Sequence, residues 1–287
     1  MPQPRVPEWG VVMKQLLLAV GLFAGVPMVV TSASPAHAKK CSADSVQAGP
    51  VCMDKYEASV WEIPATNGSG KSNAGLIKKV QDGAVTLAQL TAGNAMQISP
   101  ASTGTPAFPA TFPPNGQWTQ PLYAVSIAGV SPTVGATWFQ AQQACFNSRK
   151  RLPTNAEWQG AVAGTPDPGP DNGTTDCNTT GGSVITGSRS SCVSNWGAFD
   201  MVGNVEEWVA DWVPLSTTPC PNWGALSDDL QCFAGANTSA GNGPGALVRG
   251  GSVGMNTAAG PLAVRGDSRV SDFFNFLGLE WGFRCAR

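Results

Sequence analysis

Two segments in the middle of the chain combine a helix-start signal with apolar residues on one face. Thr137-x-x-Gln140 and Thr154-x-x-Glu157 have the spacing of a capping box, in which two side chains satisfy each other's backbone N–H groups. The apolar residues that follow at helical spacing are Trp138, Ala141 and Cys145, then Trp158, Ala161 and Val162. We therefore predict two main helices, with Glu157 capping its own helix; a role as an acid is the alternative.

Short apolar runs predict strands at 51–60 and 121–126, and a buried terminal strand where Trp281, Phe283 and Cys285 alternate. The region between the first two runs has less pattern. We expect a short helix within 83–97 and a surface loop over 100–120, which is rich in Pro, Thr and Gly. No part of this region is long enough to build a core of its own, so the pattern predicts a single domain.

The N-terminus has the pattern of a secretory signal peptide. A basic start at Lys14 precedes the apolar run 16–30, and Ala36-His37-Ala38 forms an A-x-A cleavage site. Pro27 and the short run argue against a spanning helix. We expect a signal peptide over 1–38 and one domain over 39–287, secreted, periplasmic or on the cell surface, with no membrane span after cleavage.

The composition indicates a loop-rich globular protein. Of 287 residues, 13% are charged while 34 are Gly and 23 are Pro, which is unlike a helical bundle. A hydrophobic fraction of 42% with ten Trp and eleven Phe is unlike a disordered chain. The net charge of −2 gives no reason to expect nucleic acid or an anionic membrane as partner.

Histidine and cysteine restrict the chemistry. The one histidine, His37, lies in the signal peptide, which excludes Ser-His-Asp or Cys-His catalysis and His-rich zinc sites in the mature chain. Eight cysteines in an exported chain predict disulfides. The spacing suggests three local pairs and one long-range pair: Cys41–Cys52, Cys177–Cys192, Cys220–Cys232 and Cys145–Cys285.

The stretch 197–212 is an apolar run that carries Asn204, Glu206, Glu207 and Asp211. Buried charges need partners, which a Ca²⁺ ion or backbone N–H groups would supply. The stretch resembles the central motif of the formylglycine-generating enzyme (sulfatase-modifying factor) family. Four more blocks resemble that family in the same order: 51–60, 138–158, Val248-Arg249-Gly250-Gly251-Ser252 and Gly282-Phe283-Arg284-Cys285-Ala286.

The resemblance covers 51–287 and implies an α+β, C-type-lectin-like fold that is loop-rich, with small twisted sheets and two main helices. It also implies a structural calcium site. The expected ligands at that site are Asn204 and Glu207, with backbone at Val202 and Val205, and Asn178 is assigned to a second such site. We favour calcium because no Arg or Lys lies near in sequence to neutralise the acidic residues. The alternative is that Asn204 and Glu207 satisfy backbone groups of the turn.

The resemblance fails at the catalytic segment. In the active enzymes two cysteines follow the Arg-Gly-Gly-Ser block, bind copper and oxidise a substrate cysteine to formylglycine. Those places fall near Met255 and Gly260, and no cysteine lies between Cys232 and Cys285. Thiolates are the copper ligands of that reaction. We therefore expect no copper and no oxidase activity of this kind.

The segment 253–280 resembles the variable region of target proteins of diversity-generating retroelements, which use this fold to display a ligand-binding face. The crowded apolar residues of 273–279 fit either a binding surface or ordinary core. The candidate contacts to a protein or glycan ligand are Val253, Met255, Asn256, Arg265, Asp267, Arg269, Asp272, Phe273, Phe274, Asn275, Phe276 and Glu280. The main hypothesis is a secreted non-catalytic binding protein. The alternatives are a family enzyme with non-standard chemistry and a structural envelope component.

Overall fold

Each of the two predicted capping boxes lies at the start of a helix. A computed structural model describes residues 40–101, 108–114, 121–214, 244–269, 275–276 and 279–287. Helix α3 (Trp138–Asn147) begins after Thr137, and α4 (Asn155–Ala161) after Thr154, each with its reciprocal side-chain to backbone pair. Of the two other described helices, α1 (Ala74–Gln81) was not predicted from the sequence, and α2 (Leu87–Ala92) lies within the predicted short helix of 83–97.

Ten strands form three small sheets in the described residues. The strands are β1 (Ser45–Ala48), β2 (Val51–Asp54), β3 (Ser59–Glu62), β4 (Met96–Ile98), β5 (Leu122–Val125), β6 (Glu206–Pro214), β7 (Pro244–Arg249), β8 (Val264–Arg269), β9 (Asn275–Phe276) and β10 (Leu279–Phe283). The orders are β1-β2, β4-β3-β5 and β8-β7-β6-β10-β9. Within the five-stranded sheet β10 runs parallel to β6, and the other pairs are antiparallel.

The five-stranded sheet organises the core. Trp208 of β6 and Trp281 of β10 meet edge to face at 5.1 Å, and they pack with Ala141 and Ala144 of α3. A second cluster joins Trp158 of α4 to the opposite side of the motif, including Met201, Val202 and Val209. The central motif therefore lies between two apolar clusters, which is why its polar side chains need partners inside the protein.

Three disulfides tie these elements together: Cys41–Cys52, Cys177–Cys192 and Cys145–Cys285. All three were predicted from the spacing. The fourth predicted pair, Cys220–Cys232, and the predicted signal peptide over 1–38 lie outside the described residues. In the described part of the chain, no helix is long and apolar enough to cross a membrane.

The α+β class with small sheets is confirmed, while several element boundaries differ from the prediction. The run 51–60 forms two strands, β2 and β3, because the chain turns at 55–58, where Glu57 points into the core. The region 83–97 holds α2 followed by β4. The prediction of one strand missed the first break because 51–60 contains neither Gly nor Pro to mark a turn.

Candidate functional site

The central motif begins with a tight turn that only certain residues can form. Asp200 and Asn204 adopt φ of 56°, and Gly203 adopts φ of 74°. Asn and Asp tolerate this left-handed region better than other non-glycine residues. A Cβ at Gly203 would lie 2.4 Å from the carbonyl oxygen of Asn178, so the glycine permits close approach of the two loops. The turn therefore directs the Asn204 carboxamide into the protein.

Asn204 is the centre of a buried hydrogen-bond network. Its Nδ2 donates to Glu57 Oε2 at 2.6 Å, and its Oδ1 accepts from Asn178 Nδ2 at 3.1 Å and from the Val184 amide at 2.9 Å. The Val205 amide donates to Glu57 Oε1 at 3.2 Å. Glu57 was not among the predicted site residues, since its neighbours in sequence indicated an edge strand.

Glu207 points to a different set of partners. The guanidinium of Arg284 donates to both carboxylate oxygens, with Nη2 to Oε1 at 2.6 Å and Nε to Oε2 at 2.7 Å. The indole of Trp158 donates to Oε2 at 2.7 Å. Glu207 and Arg284 are both buried. Arg284 is 77 positions from Glu207, so a cation that is distant in the sequence neutralises Glu207 in the folded chain.

The predicted calcium ligands converge only in part, and their atoms do not fit a cation as arranged. Asn178 and Asn204 contact each other, and Val202 and Val205 are buried beside them. Both oxygens of Glu207 and the Oδ1 of Asn204 already accept N–H donors of the protein. A hard cation needs free oxygen lone pairs directed at one point.

The buried carboxylates of the motif influence one another. Burial raises the pKa of Glu57 well above its usual value, and the nearby Asp200 and Glu207 raise it further. Burial also raises the pKa of Asp200 to about 6. Burial alone would lower the pKa of Arg284, but the carboxylates of Glu207, Glu57 and Asp200 together outweigh it and the pKa is raised. The guanidinium is therefore a permanent charge beside these buried carboxylates.

The Arg-Gly-Gly-Ser block has a structural role at the end of β7. Arg249 lies over the Trp158 ring at 4.5 Å and donates to the Ala263 carbonyl at 2.7 Å and to the Gln159 side chain. Gly250 adopts φ of 85°, and a Cβ there would lie 2.7 Å from the Met201 carbonyl oxygen. The block fixes the 249–263 loop against the central motif.

The two positions where the family's active enzymes have their catalytic cysteines carry no thiol in this chain. Met255 is half-buried, and its sulfur accepts the Ser252 amide at 3.3 Å. A short 3-10 helix (Asn256–Ala258) follows, and Gly260 donates its amide to the Gly250 carbonyl. Every cysteine in the described part of the chain is in a disulfide. A redox pair of thiolates is therefore absent from this loop.

The predicted binding residues divide into four groups. Val253 is 1% exposed and lies in the core, so its prediction as a surface contact was wrong: the amide of Val253 is held by the Asn204 carbonyl. Glu280 is also buried, and burial raises its pKa. Met255, Asn256, Arg265 and Asp267 reach the surface to differing extents. For Arg269, Asn275 and Phe276 only the strand backbone is described; Asp272, Phe273 and Phe274 lie outside the described residues.

Arg265 of the predicted face forms ion pairs with two carboxylates. Its Nε donates to Asp267 Oδ1 at 3.0 Å, and its Nη1 donates to Glu206 Oε2 at 3.2 Å. Glu206 also accepts the Trp281 indole N–H at 2.8 Å. The side chains of Arg265 and Asp267 are 16% and 26% exposed, whereas that of Glu206 is fully buried. A buried carboxylate on β6 therefore sets the position of a charge displayed by β8.

A family model described as "Sulfatase-modifying factor enzyme 1-like domain" matches residues 45–287. Among curated proteins, the serine/threonine-protein kinase pkn1 of Chlamydia caviae is 29% identical over 134 residues, which are 35% of this chain and 20% of that protein. The pkn1 kinase of Chlamydia pneumoniae is 28% identical with the same coverage. The chain spans about a fifth of the length of these relatives.

Two solved structures illustrate the range of structural similarity. The Major Tropism Determinant M1 Variant superposes with a TM-score of 0.41 and 17% identity, covering 82% of this chain and 49% of that one. Treponema denticola variable protein 1 gives a TM-score of 0.26 and 20% identity, covering 54% of this chain and 70% of that one.

Proposed function

The chain belongs to the sulfatase-modifying factor enzyme 1-like domain family. Within this family, we propose that it is an exported, non-catalytic binding protein. Its ligand is a protein or a glycan. The contacts come from the segment 253–280, with Met255, Asn256, Arg265 and Asp267 as the described side chains of the predicted face that reach the surface.

The observation that carries the proposal is the chemistry of the loop after Arg249-Gly250-Gly251-Ser252. A family oxidase needs two thiolates here, because thiolates bind copper and transfer the electrons. This chain has Met255 and Gly260 instead, and its mature part has no histidine that could supply other ligands. The Met255 thioether is one soft donor, and it already accepts a backbone N–H group.

The strand that follows this loop, β8, holds a side chain in a fixed position that suits binding. Arg265 is fixed by two carboxylates, and its strand belongs to a sheet whose strand β10 leads into Cys285. The Cys145–Cys285 disulfide ties that end of the sheet to α3. A side chain that is already ordered before binding loses less conformational entropy on complex formation. The rigid scaffold therefore favours recognition by fixed side chains.

Export is consistent with the disulfides. The three described pairs would be reduced in an ordinary cytosol, and they persist in oxidising compartments. In this proposal, the segment 1–38 is the signal peptide that directs the chain out of the cytosol. We also propose that sibling genes differ within 253–280 and agree in the flanking blocks. Sequencing the siblings in one genome tests that point, and variation spread evenly over the chain would contradict it.

The binding proposal is tested by selecting a random peptide-display library on the immobilised purified protein. Peptides that bind the wild type are expected to lose at least about tenfold in affinity for Arg265→Ala and Asn256→Ala, since single anchors contribute 1–2 kcal/mol or more. Lys78→Ala is the matched control, because Lys78 lies on α1 and pairs with Asp82. Equal loss for the control variant, or no loss for either face variant, would contradict the proposal.

A further inference from the structure

The guanidinium of Arg284 is surrounded by oxygen atoms, as a bound cation would be. Besides the two Glu207 oxygens, it donates to the carbonyl oxygens of Asp54 at 3.1 Å, Phe199 at 2.9 Å and Asp200 at 3.4 Å. These five oxygens come from three separate parts of the chain. Arg284 is 0% exposed, so no water replaces any of these partners from outside.

The oxygen types match those of a calcium site, but the geometry matches a guanidinium. Calcium takes six to eight oxygens at about 2.3–2.6 Å around one point. Here the donor–acceptor distances range from 2.6 to 3.4 Å, and Glu207 faces Nε and Nη2 side by side. This side-by-side arrangement is the bidentate geometry in which arginine pairs with a carboxylate.

A second arginine contacts Asn178, another of the predicted calcium ligands. Arg189 Nη2 donates to Asn178 Oδ1 at 2.8 Å, and Asn178 Nδ2 donates in turn to Asn204 Oδ1. Arg189 is also mostly buried. The side-chain oxygens of Asn178, Asn204 and Glu207 therefore all accept N–H donors, and two of these three side chains receive them directly from an arginine.

We infer that Arg284 is the built-in cation of the central motif, and that this chain folds and keeps its stability without calcium. The charge that a metal supplies elsewhere comes here from a side chain on the terminal block. Removing one partner of a buried ion pair leaves an uncompensated charge, so the motif depends on Arg284. The inference is independent of the proposed binding function, because it concerns only how the motif is held.

The first test is thermal unfolding of the wild-type protein after exhaustive EDTA treatment, with and without millimolar CaCl₂. A structural site filled to a hundred times its dissociation constant would raise the Tm by about 5–10 °C. We expect the two curves to coincide within about 1 °C, with MgCl₂ as the ionic-strength control. A calcium-dependent rise of several degrees would overturn the inference, whatever the ligand-binding results are.

The second test removes the guanidinium and returns it as a small molecule. We expect Arg284→Gly to unfold at a much lower temperature, and about 50 mM guanidinium chloride, far below denaturing concentrations, to raise its Tm. The control is Arg151→Gly, which removes an arginine paired at the surface with Glu157; its Tm is expected to fall slightly with added guanidinium. Equal responses of the two variants would contradict the inference. If Arg284→Gly does not fold even with guanidinium, the calcium test on the wild type decides alone.

Discussion

Asn204 donates a 2.6 Å hydrogen bond to Glu57, although 147 positions separate the two residues. This bond joins the central motif to the turn between β2 and β3. Because Glu57 is fully buried and has a raised pKa, the carboxamide is a partner that suits it without adding charge. The position therefore requires both the left-handed backbone and an amide.

Asn204→Ala is expected to destabilise the protein by about 3 kcal/mol or more, because it removes one buried hydrogen bond from each of Glu57, Asn178 and the Val184 amide. Urea unfolding of the two proteins measures the difference. Asn67→Ala, at an exposed turn, is the comparison and is expected to cost less than about 1 kcal/mol. Similar costs at the two positions would show that the buried network contributes little.

Gly250 tests whether the Arg-Gly-Gly-Ser block is retained for backbone geometry. Gly250→Ala combines a left-handed φ with a Cβ 2.7 Å from a carbonyl oxygen, and it is expected to cost about 2–4 kcal/mol. Gly129→Ala has a similar φ but open space around the Cβ, so about 1 kcal/mol is expected. The denaturant midpoints of the two variants, compared at constant m-value, measure both stability losses. A tolerated alanine at 250 would argue against the close packing described for this loop.

The long-range disulfide should stabilise the protein more than the local one at Cys41–Cys52. The first closes 140 positions and the second 11, which correspond to about 5 and 3 kcal/mol as upper values on the chain-entropy model. The Cys145→Ala/Cys285→Ala variant is therefore expected to unfold at a lower temperature than Cys41→Ala/Cys52→Ala. Calorimetry of the two double variants checks the order, and the reverse order would contradict this explanation.

Mild acid should stabilise the fold. Burial raises the pKa of Asp54 to about 6 from its ordinary value of 3.8, although Lys150 opposes this rise. A group whose pKa is raised on folding contributes stability that is complete below the unfolded pKa and is lost as the pH rises through the folded one. Burial also raises the pKa of Asp200 to about 6, so Asp200 contributes stability over the same pH range. Between pH 7.5 and 5 the two together are expected to add about 2 kcal/mol.

Unfolding free energies at several pH values check this prediction, and Asp54→Asn is the matched variant. Its pH dependence over the same interval is expected to be about half that of the wild type. The carboxylates with lowered pKa, such as Asp44, lose their contribution only at more acidic pH, so the maximum should lie near pH 5. A maximum at pH 8 would contradict the burial argument.

Local signals predicted the parts of this fold that local physics determines. The capping boxes at Thr137 and Thr154 specify their helix starts within four residues, and the disulfide spacing identified three pairs. The partners of Glu207 and Glu57 were not predictable, because Arg284 and Asn204 approach them only after β10 pairs with β6 and the turn at Gly203 forms. Val253 was misplaced since one apolar residue in a loop carries no period.

The claim that the scaffold binds without catalysing oxidation rests on the missing thiols at Met255 and Gly260. The most direct measurement incubates the purified protein with Cu(I), oxygen and a cysteine-containing peptide, and follows the peptide by mass spectrometry. We expect an unchanged cysteine and no Cu(I) bound more tightly than by a competing chelator. Formation of formylglycine, or one tightly held copper per chain, would contradict it.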